Sequence, residues 1–396
     1  MCAEEFIPFH RPSIGQEEID AVSEVLRSGW LTTGPKTREF EEKFALFIGC
    51  RYAVAVNSCT AALHLALDAI GLQPGDEVIV PTNTFTATAE VVTYLGGKVV
   101  FADSLPDGFN VDPQSVAARI TPHCRALMPV HLAGEPCRMD EITELARKHD
   151  LKVIEDAAHA LPASYRGRRI GTISPLTAFS FYATKTITTG EGGMLVTEDE
   201  KLARRAQTMR LHGISHDAWK RYTREGSWYY EVLEAGYKYN MTDLQAALGL
   251  CQLKKAEQFL ATRRAYASRY MELLADLDEI ELPSVPADVE HAWHLFIIRL
   301  RLETLRIDRN QFIEELRNAG IGTSVHFIPL HLQPYYVKTF GCRRGDCPNA
   351  ERTYERSISL PLYPAMSPAD VERVSASLCR IVEQNRKTMI PHATSI

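Results

Sequence analysis

Between residues 52 and 156 the chain repeats one pattern: a short continuous apolar run, a polar turn, then a helical stretch. The apolar runs cover 52–56, 78–80, 99–101, 127–130 and 151–154, and helical spacing covers 61–67, 87–94 and 141–149. Short apolar runs without polar alternation read as strands buried on both faces. Helices between such strands imply parallel neighbours joined by crossovers, so the expected class is α/β, a mostly parallel sheet covered by helices. Ligands of such sheets gather beyond the carboxyl ends of the strands. The fifth run leads into Glu155-Asp156-Ala157-Ala158-His159, which places acids where ligands bind.

A second stretch, Ala178-Phe-Ser-Phe-Tyr-Ala-Thr-Lys-Thr-Ile-Thr-Thr-Gly-Glu-Gly-Gly193, sets one lysine, Lys185, between two strand-like runs. Its glycines let backbone approach a bound molecule closely. A lysine in a crowded, apolar place has a lowered pKa and acts as a nucleophile, although most lysines are solvated surface residues. Earlier, the run 52–56 passes through Asn57-Ser58-Cys59-Thr60 into a helix. The N–H groups and dipole of a helix start form a ready anion site, and a plain Ser or Thr N-cap is the bland alternative.

The rest of the chain sets the frame. Residues 17–27 have helical spacing with Ile19, Val22 and Leu26 on one face, and Thr37 can cap a second helix to residue 47. A long helical pattern over about 241–276 links a large domain, 1–250, to a smaller α+β domain, 251–396. In the latter, 283–286 reads as a linker, 294–300 and 325–327 as strands, and 309–318 and 368–384 as helices. A net charge of −6 without Lys or Arg blocks gives no nucleic-acid footprint. No apolar run reaches the roughly 18 residues of a spanning helix. The acidic start lacks an export signal, and nine scattered cysteines suit a reducing cytoplasm. No Cys/His pattern beyond the Cys342/Cys347 pair suggests a metal, so none is expected.

An acid at a strand end, a lysine about thirty residues later and a phosphate-ready helix start are what pyridoxal 5′-phosphate requires. The motifs Glu155–His159, Phe179-Ser180-Phe181-Tyr182-Ala183-Thr184-Lys185 and Gly190-Glu191-Gly192-Gly193 resemble the sugar aminotransferases of the DegT/DnrJ/EryC1/StrS family. The resemblance runs from Gly29-Trp30-Leu31-Thr32-Thr33-Gly34-Pro35 to Leu360-Pro361-Leu362-Tyr363. Ser28-Gly29-Trp30, Gly236-Tyr237-Lys238-Tyr239-Asn240 and His291-Ala292-Trp293-His294-Leu295-Phe296 make it most similar to UDP-4-amino-4-deoxy-L-arabinose–oxoglutarate aminotransferases.

The resemblance implies a type I aminotransferase fold, and pyridoxal phosphate held covalently by Lys185, whose freed amine then moves protons. Asp156 would pair with the pyridinium nitrogen, His159 would lie near the ring and its O3′, and Phe85 would stack on the ring. Thr60, Ala61 and Ser180 would hold the phosphate. Lys238 stands where many relatives have an asparagine that reaches the phosphate of the neighbouring subunit's cofactor. It would take that role, or be solvated while Asn240 does something else. Thr33, His326 and His331 would lie near the substrate's sugar or diphosphate, the irregular segment 214–230 could cover the nucleotide, and the family precedent implies a homodimer with shared sites. The expected reaction is transfer of an amino group from L-glutamate to a keto carbon, first C4, of a nucleotide-linked sugar. A dehydratase of the same family would carry histidine in place of Lys185, and a non-catalytic regulatory protein would lose Lys185 or Asp156.

Overall fold

A computed structural model describes residues 5–214 and 229–387 of the protein. In chain order the large sheet and its helices begin with α1 (Gln16–Ser28), α2 (Pro35–Ile48), β1 (Tyr52–Val56), α3 (Cys59–Ala69), β2 (Glu77–Pro81), α4 (Ala87–Tyr94) and β3 (Lys98–Ala102). They continue with α5 (Pro113–Ala117), β4 (Cys124–Leu127), α6 (Met139–Lys148) and β5 (Lys152–Asp156). A small hairpin, β6 (Ser164–Tyr165) and β7 (Arg168–Arg169), precedes β8 (Leu176–Ser180), β9 (Gly193–Thr197) and α7 (Glu200–Met209). After α8 (Asp243–Leu273) come β10 (Ile280–Glu281), β11 (Val289–Glu290), β12 (Phe296–Leu300) and α9 (Arg309–Asn318). The chain closes with α10 (Pro334–Phe340), α11 (Pro348–Arg356), β13 (Ser357–Leu360) and α12 (Pro368–Asn385).

The seven-stranded sheet has the order β1-β9-β8-β5-β4-β2-β3. β9 runs antiparallel to both of its neighbours, and all other pairings are parallel. Both faces are covered, as the continuous apolar runs demand. Along β1, Ala53 and Ala55 face one core with Phe40, Phe44, Phe179 and Phe181. Val54 and Val56 face the other, with Leu63, Leu67, Val92 and Leu195. A third core, with Tyr270, Phe296, Ile298, Phe312, Ile358 and Val371, lies around the antiparallel sheet β10-β12-β13.

Register decides what the loops bring together. Gly193 pairs with Val56 on one side and with Ser180 on the other, while Asp156 pairs with Ala178. The ends of β1, β5 and β8 therefore sit side by side at one edge of the sheet. A slip of one residue would turn their side chains to the opposite face. Gly193 also permits a close approach, since a Cβ there would lie 2.5 Å from the backbone of Ser58.

Several expectations change. The fourth strand ends at Leu127 rather than extending over 127–130, because Pro129 has no N–H to give the ladder. Only single contacts follow, such as Met128 N–H to the Ile79 carbonyl. Residues 325–327 form no strand: Ser324 alone bridges to Ser359, and the backbone then turns so that Phe327 N–H reaches Asn83 Oδ1. On α1 the buried residues are Glu18 and Val25, while Ile19 and Leu26 are exposed. Glu18 repays its burial by accepting from Gly15 N–H, Gln252 and Lys255. Thr37 lies inside α2, which begins at Pro35 after Gly34. A single cut at residue 250 does not follow the packing. Ile7 bridges to Ile321 in the third core, and Tyr336, Cys347 and Ala350 pack beneath the large sheet. No helix among the described residues is long and apolar enough to cross a membrane.

Asp243, the first residue of α8, supplies the start of α2 that Thr37 was expected to cap. Its carboxylate accepts from the backbone N–H groups of Gly34, Lys36 and Thr37 and from the Thr37 hydroxyl, at 2.7–3.0 Å. It is 2 % exposed, so no water replaces it. Asp243→Ala strands these donors and is expected to lower stability by about 2–4 kcal/mol, with Asp243→Asn losing less. Urea unfolding at fixed protein concentration measures this, and an unchanged midpoint for the alanine variant would show that the cap contributes nothing.

Candidate active site

The carboxyl ends of β1, β2, β5 and β8 open into one cavity of about 620 Å3. Lys185 lies on its wall in the loop after β8. The loop is fixed by its own backbone and hydroxyls. Phe181 N–H donates to the Gly192 carbonyl, Thr189 N–H and the Thr188 hydroxyl donate to the Phe181 carbonyl, and Lys185 N–H donates to that of Tyr182. Lys185 stays partly accessible through the cavity, yet loss of hydration lowers its pKa to about 8. Cys59 and Asp156 oppose that shift. The ammonium is therefore the minor form above pH 8, whereas an ordinary lysine loses its proton near 10.5.

Asp156 ends β5 and is 5 % exposed. Burial raises its pKa, opposed by hydrogen bonds from the Thr88 hydroxyl at 2.8 Å and Ala158 N–H at 3.1 Å, and by Lys185 and His131. Beneath it, Glu155 is wholly buried and binds His131 Nε2 at 2.7 Å, while His131 N–H donates to the Asp156 carbonyl. Of the adjacent acids, then, Glu155 is committed to the fold and Asp156 faces the cavity.

His159 is buried and its Nδ1 accepts from Ala133 N–H at 3.3 Å, which leaves the ring proton on Nε2. Its ring lies 4.3 Å from that of His294. Burial and the nearby Lys185 hold both histidines well below the ordinary range, so the pair is neutral. His326 also lines the cavity, with Nδ1 2.8 Å from the Ser359 hydroxyl and a pKa lowered to about 4 by burial. Phe85 stands 59 % exposed on the wall, an aromatic face open to the cavity. Ser180 lines it too, its hydroxyl accepting from Tyr182 N–H at 3.3 Å.

At the start of α3 the Ser58 hydroxyl accepts from Ala61 N–H at 3.1 Å. That bond occupies Ala61, so the expectation that its N–H serves a phosphate does not fit. Cys59 and Thr60, both on the cavity wall, present the first two N–H groups of the helix. His331 is also misplaced by the sequence reading. It is wholly buried outside the cavity, Nδ1 2.6 Å from the Thr82 hydroxyl and Nε2 2.8 Å from Glu351, so both ring nitrogens are committed to the fold. Thr33 opens onto a different recess, and its hydroxyl accepts from Asn240 Nδ2 and donates to the Met241 carbonyl. Lys238 is exposed and does not line its own chain's cavity. Segment 214–230 lies, apart from its ends, outside the described residues.

The reading from sequence missed Phe9, His10, Thr84 and His294, which complete the wall. His10 Nε2 donates to the Ala183 carbonyl at 3.0 Å, tying the N-terminal segment to the lysine loop. Its histidine character was visible in the sequence, but no local pattern announces a contact 173 residues away. Thr88 carried a weak signal, a hydroxyl between two alanines in the first turn of α4.

An amine of reduced basicity, a buried carboxylate and an open aromatic face, gathered at the strand ends of such a sheet, define an enzyme site of the type I aminotransferase fold. The DegT/DnrJ/EryC1/StrS aminotransferase family model matches residues 12–379. The protein MJ1066 of Methanocaldococcus jannaschii, described as uncharacterized, is 52 % identical over 98 % of this chain and 100 % of its own. The spore coat polysaccharide biosynthesis protein SpsC of Bacillus subtilis is 49 % identical over 96 % of this chain and 97 % of its own. Among solved structures, the PLP form of the putative sugar aminotransferase Spr1654 from Streptococcus pneumoniae superposes with a TM-score of 0.90 at 35 % identity. That match covers 96 % of this chain and 99 % of the pneumococcal one. The protein belongs to the DegT/DnrJ/EryC1/StrS aminotransferase family.

The lowered basicity of Lys185 is directly measurable. In cofactor-free protein, acylation of Lys185 by a neutral amine-directed reagent, followed by peptide mass mapping, is expected to rise with a midpoint near pH 8. A midpoint near the ordinary 10.5 would contradict the desolvation described above.

Proposed function

We propose that the protein is a pyridoxal-phosphate-dependent aminotransferase that moves an amino group from L-glutamate to a keto carbon, first C4, of a nucleotide-linked sugar. The observation that carries this reading is Lys185, of reduced basicity, sharing one cavity with the buried Asp156. The cavity fits the cofactor. Lys185 would hold the aldehyde carbon, Asp156 the pyridinium nitrogen, Phe85 a ring face, and His159 the side of O3′. The phosphate would meet the N–H groups at the start of α3, the Thr60 hydroxyl and Ser180.

Bound there, pyridoxal phosphate supplies an electrophilic carbon and a ring that withdraws electrons. The protein supplies the rest. The hydrogen bonds from Thr88 and Ala158 favour the ionised form of Asp156 against its burial, and in that form it would favour a protonated ring nitrogen. Lys185, an amine whose basicity burial lowers, would take and return the proton at the donor's α-carbon. The neutral His159–His294 pair adds no competing positive charge beside it.

A larger substrate than glutamate is supported by an adjoining groove of about 740 Å3. It shares Thr84, Phe85 and Phe327 with the cavity and presents the exposed rings of Tyr94 and Tyr335. His326, on the cavity wall, would meet the sugar. Lys238 suits the partner subunit's cofactor phosphate better than its own, so the working unit would be a homodimer. The relation to SpsC, a spore coat polysaccharide biosynthesis protein, supports a role in polysaccharide biosynthesis.

Purified protein incubated with pyridoxal phosphate and L-glutamate should release one 2-oxoglutarate per chain and then aminate one of a panel of UDP-, dTDP- and GDP-linked keto sugars. Lys185→Ala is expected to lower turnover by about 10^4 or more. Retained turnover would remove Lys185 from its role, and release of 2-oxoglutarate with no sugar aminated would overturn the assigned acceptor.

A further inference from the structure

We propose that Thr84 and Thr88 form a two-hydroxyl relay that fixes the charge of Asp156 and so sets how strongly the bound cofactor's ring withdraws electrons. The inference rests on the reading of the site as a pyridoxal-phosphate site. Thr88, in the first turn of α4, is wholly buried, and its hydroxyl donates to Asp156 Oδ2 at 2.8 Å. Thr84, 1 % exposed and on the cavity wall, has its hydroxyl 2.8 Å from that of Thr88.

Hydrogen-bond arithmetic fixes the direction. A hydroxyl has one proton, and an ionised carboxylate has none to give. Thr88 spends its proton on Asp156, so the bond between the threonines runs from Thr84 to Thr88. Each hydrogen bond in such a chain polarises the next in a poorly hydrated interior. The other carboxylate oxygen, Oδ1, is held by Ala158 N–H, a backbone group that no side-chain change removes. Among the described residues Thr88 is thus the one side chain with a hydroxyl on this carboxylate, and Thr84 connects it to the cavity.

A merely local role is the competing explanation, because Thr84 and Thr88 are four residues apart around a helix start and such hydroxyls commonly serve as caps. The Thr88 bond to Asp156 spans 68 residues and two elements, which local capping does not need. The two explanations also differ in what they move: a cap changes stability, whereas a relay changes the acidity of the bound cofactor.

The test compares wild type, Thr88→Val, Thr88→Ser and Thr84→Val after reconstitution with pyridoxal phosphate. The readouts are the pH titration of the visible absorption band, the Kd for the cofactor and the rate of the glutamate half-reaction. Without the Thr88 donor Asp156 holds its charge less well, the ring nitrogen loses its proton more readily, and the band titrates at higher pH. Thr88→Val is expected to raise the midpoint by about one unit, to weaken cofactor binding roughly tenfold and to slow the half-reaction by at least as much. Thr88→Ser should restore all three to within about twofold, and Thr84→Val should shift the midpoint in the same direction by less. A Thr88→Val protein that titrates like wild type, or a Thr88→Ser protein that fails to restore it, overturns the relay. Should Thr88→Val not fold, Thr84→Val decides, and an unshifted midpoint there overturns it. Wild-type protein that takes up no pyridoxal phosphate overturns the functional reading and the relay with it.

Discussion

The structure depends on a carboxylate and an amine held in one poorly hydrated cavity. Either group alone would relieve its burial by changing protonation state: Asp156 by gaining a proton, Lys185 by losing one. Each lessens the other's shift, and the Thr88 and Ala158 bonds tip Asp156 further toward the ionised form. The result is a buried acid whose rise in pKa is restrained by its hydrogen bonds, beside an amine with a pKa lowered to about 8, a combination that exposed residues would not show. Removal from water is therefore the source of reactivity as well as its cost.

That cavity exists because of the sheet. Parallel strands end together, so β1, β2, β5 and β8 deliver an anion-ready helix start, an aromatic face, a carboxylate and a lysine to one edge. The pairing of Val56, Gly193 and Ser180 side by side leaves no slack between these loops. The antiparallel β9 closes the set, since its first residue, Gly193, packs against the start of α3 while its preceding turn completes the lysine loop. The C-terminal part of the chain supplies further wall through His294, Ser324, His326 and Leu360. α8 spans both halves: Asp243 fastens α2 at one end, and Tyr270 joins the third core near the other.

What the sequence made legible follows the range of the forces involved. Runs such as 52–56 and 99–101 are local signals, and they became strands of the large sheet. Helix 309–318 has the expected limits in the structure, where Asp308 and Gln311 close its start as a capping box. Lys185 and Asp156 stood in motifs whose chemistry points to one cofactor. Long-range partners were less accessible. The capping of α2 by Asp243, the contact of His10 with the lysine loop and the commitment of His331 to Glu351 join residues far apart, and no period in the chain encodes them. On α1 the hydrophobic pattern pointed to Ile19 and Leu26, but Glu18 is buried instead because Gln252 and Lys255 meet it. Ala61 was a matter of one bond, since Ser58 reached its N–H first.

The central claim is that Lys185 is the residue that carries the cofactor. Borohydride reduction of the protein reconstituted with pyridoxal phosphate, followed by digestion and mass mapping, tests it most directly. The account predicts one reduced cofactor per chain, on the peptide that contains Lys185 and on that residue alone. An adduct on another lysine, or a reconstituted protein from which reduction fixes none, would contradict it.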